Sequence, residues 1–168
     1  RGHAGDDLER NVRFGQGLQM TNVLRDLAQD FRIGRCYVPR QDLATLDLIP
    51  EDLLDPAVIQ RLRPLLQDLL AHTLAHYAEG WAYILAIPPT EIRLRLACAW
   101  PLLIGLRTLD RVQQARDLLD PRVTVKISRP AVYGILVGSA ALAWSDGGLD
   151  RYYRAVRSRV GRALTPAS

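Results

Sequence analysis

Long uncharged apolar runs are missing from this 168-residue chain. None approaches the ~18 residues that a membrane-spanning helix needs, so no transmembrane helix is expected. Cysteine is scarce. Cys36 and Cys98 stand far apart and outside any Cys-x-x-Cys pair, which argues against a disulfide framework and for free thiols in a reducing, cytoplasmic compartment. Apolar–polar alternation is absent, which argues against strands, and there is no internal repeat or low-complexity tract. No charged–apolar–small leader opens the chain. It begins Arg1-Gly2-His3 without an initiator Met, and is expected to be a piece of a longer protein. Lysine is nearly missing: Lys126 stands alone among 22 basic side chains.

What is present is a globular composition, 48% hydrophobic and 24% charged, enough for one domain with a core. The net charge of +4 favours anionic partners such as phosphates, acidic lipid or nucleic acid. The pattern is helical nearly throughout. Gly5-Asp6-Asp7 offers an N-cap for a helix to about Asp30, with Met20, Val23, Leu24, Leu27 and Phe31 as its apolar face. Residues 31–55 read as irregular, broken by Gly34, Pro39 and Pro50. Asp55-Pro56 predicts the start of a helix running to about Ile87. Pro88-Pro89 ends it, and Thr90-Glu91 opens another to about Leu119, kinked at Pro101. A basic loop from Asp120 to Ile127 follows. Ser128 is expected to cap a short apolar helix to about Trp144, Asp146-Gly147-Gly148 to form a turn, and a basic helix to run from Leu149 to about Arg162. The expected class is all-α, with short connections between long helices.

The polar face of the first helix carries the chemistry. Gln19, Asn22, Asp26 and Asp30 follow at spacings of three, four and four, so they share one face. Two carboxylates at i and i+4 repel by roughly 0.2–0.5 kcal/mol in an isolated helix, and no basic residue stands four beyond either to offset this. A divalent cation would. Mg²⁺ favours carboxylate and phosphate oxygens and keeps some of its waters, so such a stripe suits a diphosphate bridged through Mg²⁺. Arg25, Arg32 and Arg35 lie around the acidic pair, and arginine binds phosphate bidentately. Two aspartates four apart also occur on ordinary solvated helix faces. The further residues at fixed spacing, through Tyr37, favour the metal–diphosphate reading.

The stretch GQGLQMTNVLRDLAQDFRIGRCYVP, Gly15 to Pro39, resembles the second signature of the squalene/phytoene synthase family. That pattern has Gly15, Gln19, Asn22, Arg25-Asp26, an acid at Asp30, and the ending Arg35-x-Tyr37-x-Pro39. Phe14 and Val23 are mild departures, away from the metal chemistry. Arg122-Val-Thr-Val-Lys126 looks like the family's basic loop that contacts substrate diphosphate. The resemblance implies an isoprenoid-synthase-type helical bundle. Residues 1–168 would be the C-terminal part of one synthase domain, with the N-terminal part and its first aspartate-rich motif not among them, and the fragment alone would be inactive. It implies head-to-head joining of two prenyl diphosphates by Mg²⁺-assisted ionisation, from farnesyl diphosphate to presqualene diphosphate and then squalene or dehydrosqualene. NADPH is needed if squalene is the product. Phytoene synthesis from geranylgeranyl diphosphate is the alternative. A one-substrate terpene cyclase and a non-catalytic assembly factor are the rivals; retention of Asp26, Asp30 and Arg25 argues against the second.

On this resemblance Asp26 and Asp30 are metal ligands aided by Asn22. Gln19, Asn22, Arg25, Arg35, Arg122 and Lys126 bind diphosphate, and Tyr37 stands near the reacting centre, or packs the exit loop. Apolar residues from Pro56 to Leu119 line a prenyl tunnel or are simply core. Elsewhere, His72, His76 and Glu79 sit at near-helical spacing but lack a metal motif and read as a polar stripe. Cys36 and Cys98 read as packing. The last helix, with Arg151, Arg154, Arg157, Arg159 and Arg162, reads first as a solvated face, then as a peripheral contact with an anionic membrane at its inner face. Nucleic acid is not expected, because no recognition motif accompanies the charge.

Overall fold

A 30-residue helix, α1 (His3–Arg32), forms one side of the molecule. The computed structural model describes residues 3–115, 117–120 and 122–161, with side chains from residue 12 to 160; Arg162 lies outside the described residues. Beyond α1 come a short helix α2 (Arg40–Ala44), two 3₁₀ turns (Pro50–Leu54 and Pro56–Val58), and then α3 (Ile59–Ala86), α4 (Ile92–Gln114), α5 (Arg129–Ala140) and α6 (Asp146–Gly161). No strand occurs among the described residues, so the class is all-α. No described helix is long and apolar enough to cross a membrane.

α1 packs against α3 and α4, and α4 in turn carries α5 and α6. The core follows the helical spacing of leucines: Leu24 and Leu27 on α1, Leu62, Leu66, Leu70 and Leu74 on α3, and Leu102, Leu103, Leu106 and Leu109 on α4. Asp55 accepts a hydrogen bond from the Ala57 backbone N–H at 2.9 Å, so the expected cap acts on the 3₁₀ turn that leads into α3. Pro101 lies inside α4.

Several boundaries differ from expectation: α1 is already helical from His3, so Gly5-Asp6-Asp7 lies within it, and α5 ends at Ala140 rather than near Trp144. α4 ends at Gln114, because Ala115 is extended. Leu118 and Leu119 are buried from the following turn, so their apolar period reflects loop anchoring rather than helix. Ser128 makes no side-chain cap. Asp146-Gly147-Gly148 is the first turn of α6, not a separate turn. Ser145 supplies the cap, accepting from the Gly148 N–H at 3.2 Å, and an acid in the first turn favours the helix dipole. Asp146 also pairs with Arg95, which is fully buried on α4 and donates to the Ala143 carbonyl at 3.1 Å. That link ties the α5–α6 turn to α4. The Trp81 and Tyr153 rings stack with centroids 4.4 Å apart, fixing α6 to α3.

Tyr77 is the hub where α1, α3 and α4 meet. Its ring lies where a Cβ on Gly17 would sit, at 2.8 Å, and its hydroxyl fills the space at Gly105. Thr21 donates to the Gly17 carbonyl at 2.9 Å and meets the Tyr77 hydroxyl at 2.7 Å. With the Thr21 proton committed to Gly17, Tyr77 is the donor. Burial pushes the Tyr77 hydroxyl up to about 12, because a phenolate there would lose its hydration. An acid held protonated by the fold contributes stability that is full below the unfolded value near 10 and is lost as pH rises towards about 12. Burial shifts Tyr152 and Tyr153 the same way. Urea unfolding of the full-length protein should therefore show a midpoint that falls between pH 10 and 12, with Tyr77→Phe flattening part of that fall. An identical slope in the variant would contradict this.

Candidate active site

The ridge of α1 is placed as the spacing requires, on the side of the helix away from Leu24, Leu27 and Phe31. Gln19 and Asn22 are exposed, and Asp26 and Asp30 are half-buried. Asp26 is held by its neighbour: Arg25 Nε donates to Oδ1 at 2.8 Å and Nη2 to Oδ2 at 2.6 Å. Both side chains remain about two-fifths exposed, 39% and 38%, so the pair is worth no more than about 1 kcal/mol. The hydrogen bond to Asp26 holds the Arg25 guanidinium above its ordinary pKa, against the opposing effect of partial burial. Asp30 makes no ion pair among the described residues.

Asp26 borders a cleft of about 300 Å³. Arg25, Gln29 and Arg32 line it from α1, Leu118 and Val123-Thr124-Val125 from the returning chain. The middle of the Arg122–Lys126 loop therefore faces α1 across this cleft, while Arg122 and Lys126 themselves are not part of its lining. Its Val123 and Val125 form an apolar wall. Arg122 and Lys126, at either end, are exposed, and the Arg122 backbone N–H is fixed by Asp120 Oδ1 at 2.8 Å. Gln29 and Thr124 were not foreseen. Thr124 lies between the two basic residues, which was the available signal; nothing in the spacing marks Gln29.

Just past Asp30 the helix stops in a Schellman turn. The Arg35 N–H donates to the Asp30 carbonyl at 2.8 Å and the Gly34 N–H to the Phe31 carbonyl at 3.1 Å. Gly34 has φ +77°, the left-handed conformation this turn needs. Arg35 then lines a neighbouring cleft with Phe31, Arg40 and Glu51 rather than the Asp26 cleft, and Tyr37 is 51% exposed. A Cβ at Gly34 would touch nothing within 4 Å, so the cost of Gly34→Ala is conformational, about 1–2 kcal/mol. Thermal melting should show that loss without any sign of a core defect; an unchanged midpoint would contradict it.

The donor set suits a hard cation. Two carboxylates and the Asn22 amide oxygen are oxygen ligands, as Mg²⁺ prefers. No group of three or more His, Cys, Asp or Glu among the described residues could hold a metal by itself. His72 is exposed and meets the Asp68 carbonyl at 2.8 Å through Nδ1, and His72, His76 and Glu79 form no such group. Burial raises the Cys98 thiol, as expected of packing. Cys36 is exposed and donates to the Val38 carbonyl at 3.4 Å.

An all-α bundle with carboxylates, guanidiniums and amides on one helix face is the architecture in hand. Comparison with known proteins sharpens it: residues 2–130 match the family described as Squalene/phytoene synthase, and the chain belongs to that family. A phytoene synthase of Arthrospira platensis is 32% identical over 122 residues, covering 70% of this chain and 37% of the relative. A presqualene diphosphate synthase of Rhodopseudomonas palustris is 28% identical over 134 residues, covering 79% and 46%. Another, from Zymomonas mobilis, is 42% identical over 65 residues, covering 39% and 22%. The chain thus spans less than half the length of these relatives.

Proposed function

We propose that this chain supplies one diphosphate-binding wall of an enzyme that joins two prenyl diphosphates head to head, with farnesyl diphosphate as substrate and presqualene diphosphate as the first product. The observation that carries the reading is that Arg25 and Asp26 border a cleft whose other wall is the Val123–Val125 loop, while Asp30 follows one turn on along α1, outside the lining of that cleft. Asp26 and Asp30, with Asn22, are the residues to hold Mg²⁺, which when bound supplies the charge neutralisation that a departing diphosphate needs. Arg25 is the group that changes partners. Its exposed pair with Asp26 is weak enough to open, and a carboxylate engaged elsewhere leaves both guanidinium edges for phosphate oxygens. Arg122 and Lys126 add positive charge from the facing loop, and Arg35 does so beyond the end of α1. Val123, Val125 and Leu118 keep that side of the cleft apolar. A water-poor wall strengthens each electrostatic contact and shields a reactive prenyl cation.

A second reading, phytoene synthesis from geranylgeranyl diphosphate, is favoured by the Arthrospira relative's name and its 70% coverage of this chain. Incubating the full-length protein and Mg²⁺ with either substrate, with and without NADPH, decides. Presqualene diphosphate from farnesyl diphosphate supports the first reading, and its onward conversion to squalene only with NADPH would define the cofactor. A C40 product from geranylgeranyl diphosphate alone supports the second. No coupling of either substrate overturns both.

A further inference from the structure

A second positively charged cleft lies where α4 meets α6, and the ridge does not account for it. Its lining is Arg107, Asp110, Arg111 and Gln114 from α4 and Arg159 from α6, around a space of about 380 Å³. Asp110 is 5% exposed and both of its oxygens are taken: Arg107 Nη1 donates to Oδ2 at 2.8 Å and Gln114 Nε2 to Oδ1 at 2.7 Å. It therefore anchors Arg107, and neither Arg111 nor Arg159 pairs with it. Arg111 and Arg159 are exposed and make no ion pair among the described residues. Tyr152 stands close enough to Arg107 and Arg159 for both to favour its ionised form, against the larger effect of burial. Three guanidiniums against one carboxylate, less about half a charge from the carbonyl end of each of α4 and α6, whose last turn bears Arg159, leave an excess of about one positive charge in a concave, polar space. Like charges held together without counter-charge repel, and a multivalent anion relieves that repulsion.

We propose that this cleft is a phosphate-anion site, separate from the Asp26–Asp30 ridge and independent of divalent metal. The ligand is a phosphate group borne by an acidic lipid headgroup or free as diphosphate. Arg107 is the fixed guanidinium and Arg111 and Arg159 are the two that close on the ligand.

The test uses the full-length protein in EDTA, so that metal-dependent binding at the ridge is silent. Inorganic diphosphate is titrated by calorimetry, and sedimentation is measured with phosphatidylglycerol and with phosphatidylcholine vesicles. Arg111→Gln with Arg159→Gln should weaken binding about tenfold or more, as loss of charge-assisted hydrogen bonds implies. Arg157→Gln, on the other flank of α6, should change it less than about twofold, and circular dichroism should report an intact helix content for each. Mg²⁺-dependent turnover by the Arg111→Gln/Arg159→Gln variant should stay within about twofold of the wild type, so failure here is distinguishable from failure of the proposed activity. Diphosphate binding lost in the double variant supports the site with a free anion as ligand. Sedimentation with the acidic vesicles alone, lost in the same variant, supports it with a lipid headgroup. Binding of neither probe, or equal weakening by Arg157→Gln, overturns it.

Discussion

Asp26→Asn and Asp30→Asn in the full-length protein should each lower Mg²⁺-dependent turnover of the prenyl diphosphate substrate by about 10²–10³, the usual cost of removing one group that stabilises developing charge. Asparagine keeps the size and one oxygen of aspartate but not the charge that draws the cation. Neither change should unsettle the fold. Asp26 gives up only an exposed pair with Arg25, worth at most about 1 kcal/mol, and Asp30 gives up no ion pair among the described residues. The two losses should not add, since carboxylates that hold one cation act together. Steady-state kinetics with thermal melts of the same samples separates the cases. Large losses of turnover at an unchanged melting temperature are expected; near-normal turnover in either variant contradicts the assignment.

Tyr77→Ala carries the largest expected effect on stability. The side chain is fully buried, fits between Gly17 and Gly105, and hydrogen-bonds Thr21. Truncating a buried aromatic costs about 3–5 kcal/mol, which in a chain of this size lowers the melting temperature by about 10 °C. The backbone of α1 at Gly17 and of α4 at Gly105 approach Tyr77 too closely for the cavity to collapse without moving a helix. Gly105→Ala tests the same junction from the other side, since its Cβ would meet the Tyr77 hydroxyl. Its cost, about 1–3 kcal/mol for overpacking, should shrink in a Tyr77→Phe background. A Tyr77→Ala protein that melts like the wild type would mean that the three helices are held elsewhere.

Much of this was legible from residue order. The long helices follow from leucine spacing; Pro88 and Pro89 set where α3 ends, while Asp55 and Pro56 open the 3₁₀ turn that precedes it. The ridge was legible because one helix carries it: Gln19, Asn22, Asp26 and Asp30 share a face wherever α1 packs. What escaped were features built from two distant segments. Nothing in the spacing marks Arg95, whose partners Asp146 and Ala143 come from the α5–α6 turn. The Val123–Val125 wall and the Arg107–Arg159 cleft depend on how the chain returns past α1 and how α6 lies on α4. Arg35 shows the same limit over a shorter distance. Spacing put it beside the acids, whereas the left-handed turn at Gly34 directs it into the adjoining cleft. The boundary at Asp146 was missed because two glycines read as a turn, while the Ser145 cap and the Arg95 pair outweigh their poor helix propensity.

Retention of Mn²⁺, as a stand-in for Mg²⁺, with inorganic diphosphate tests the central claim most directly. Equilibrium dialysis of the full-length protein against both, set beside the Asp26→Asn/Asp30→Asn double variant, reads the cation held per chain. The account predicts that the variant retains measurably less Mn²⁺ than the wild type at the same diphosphate concentration. Equal retention by the two proteins would contradict it.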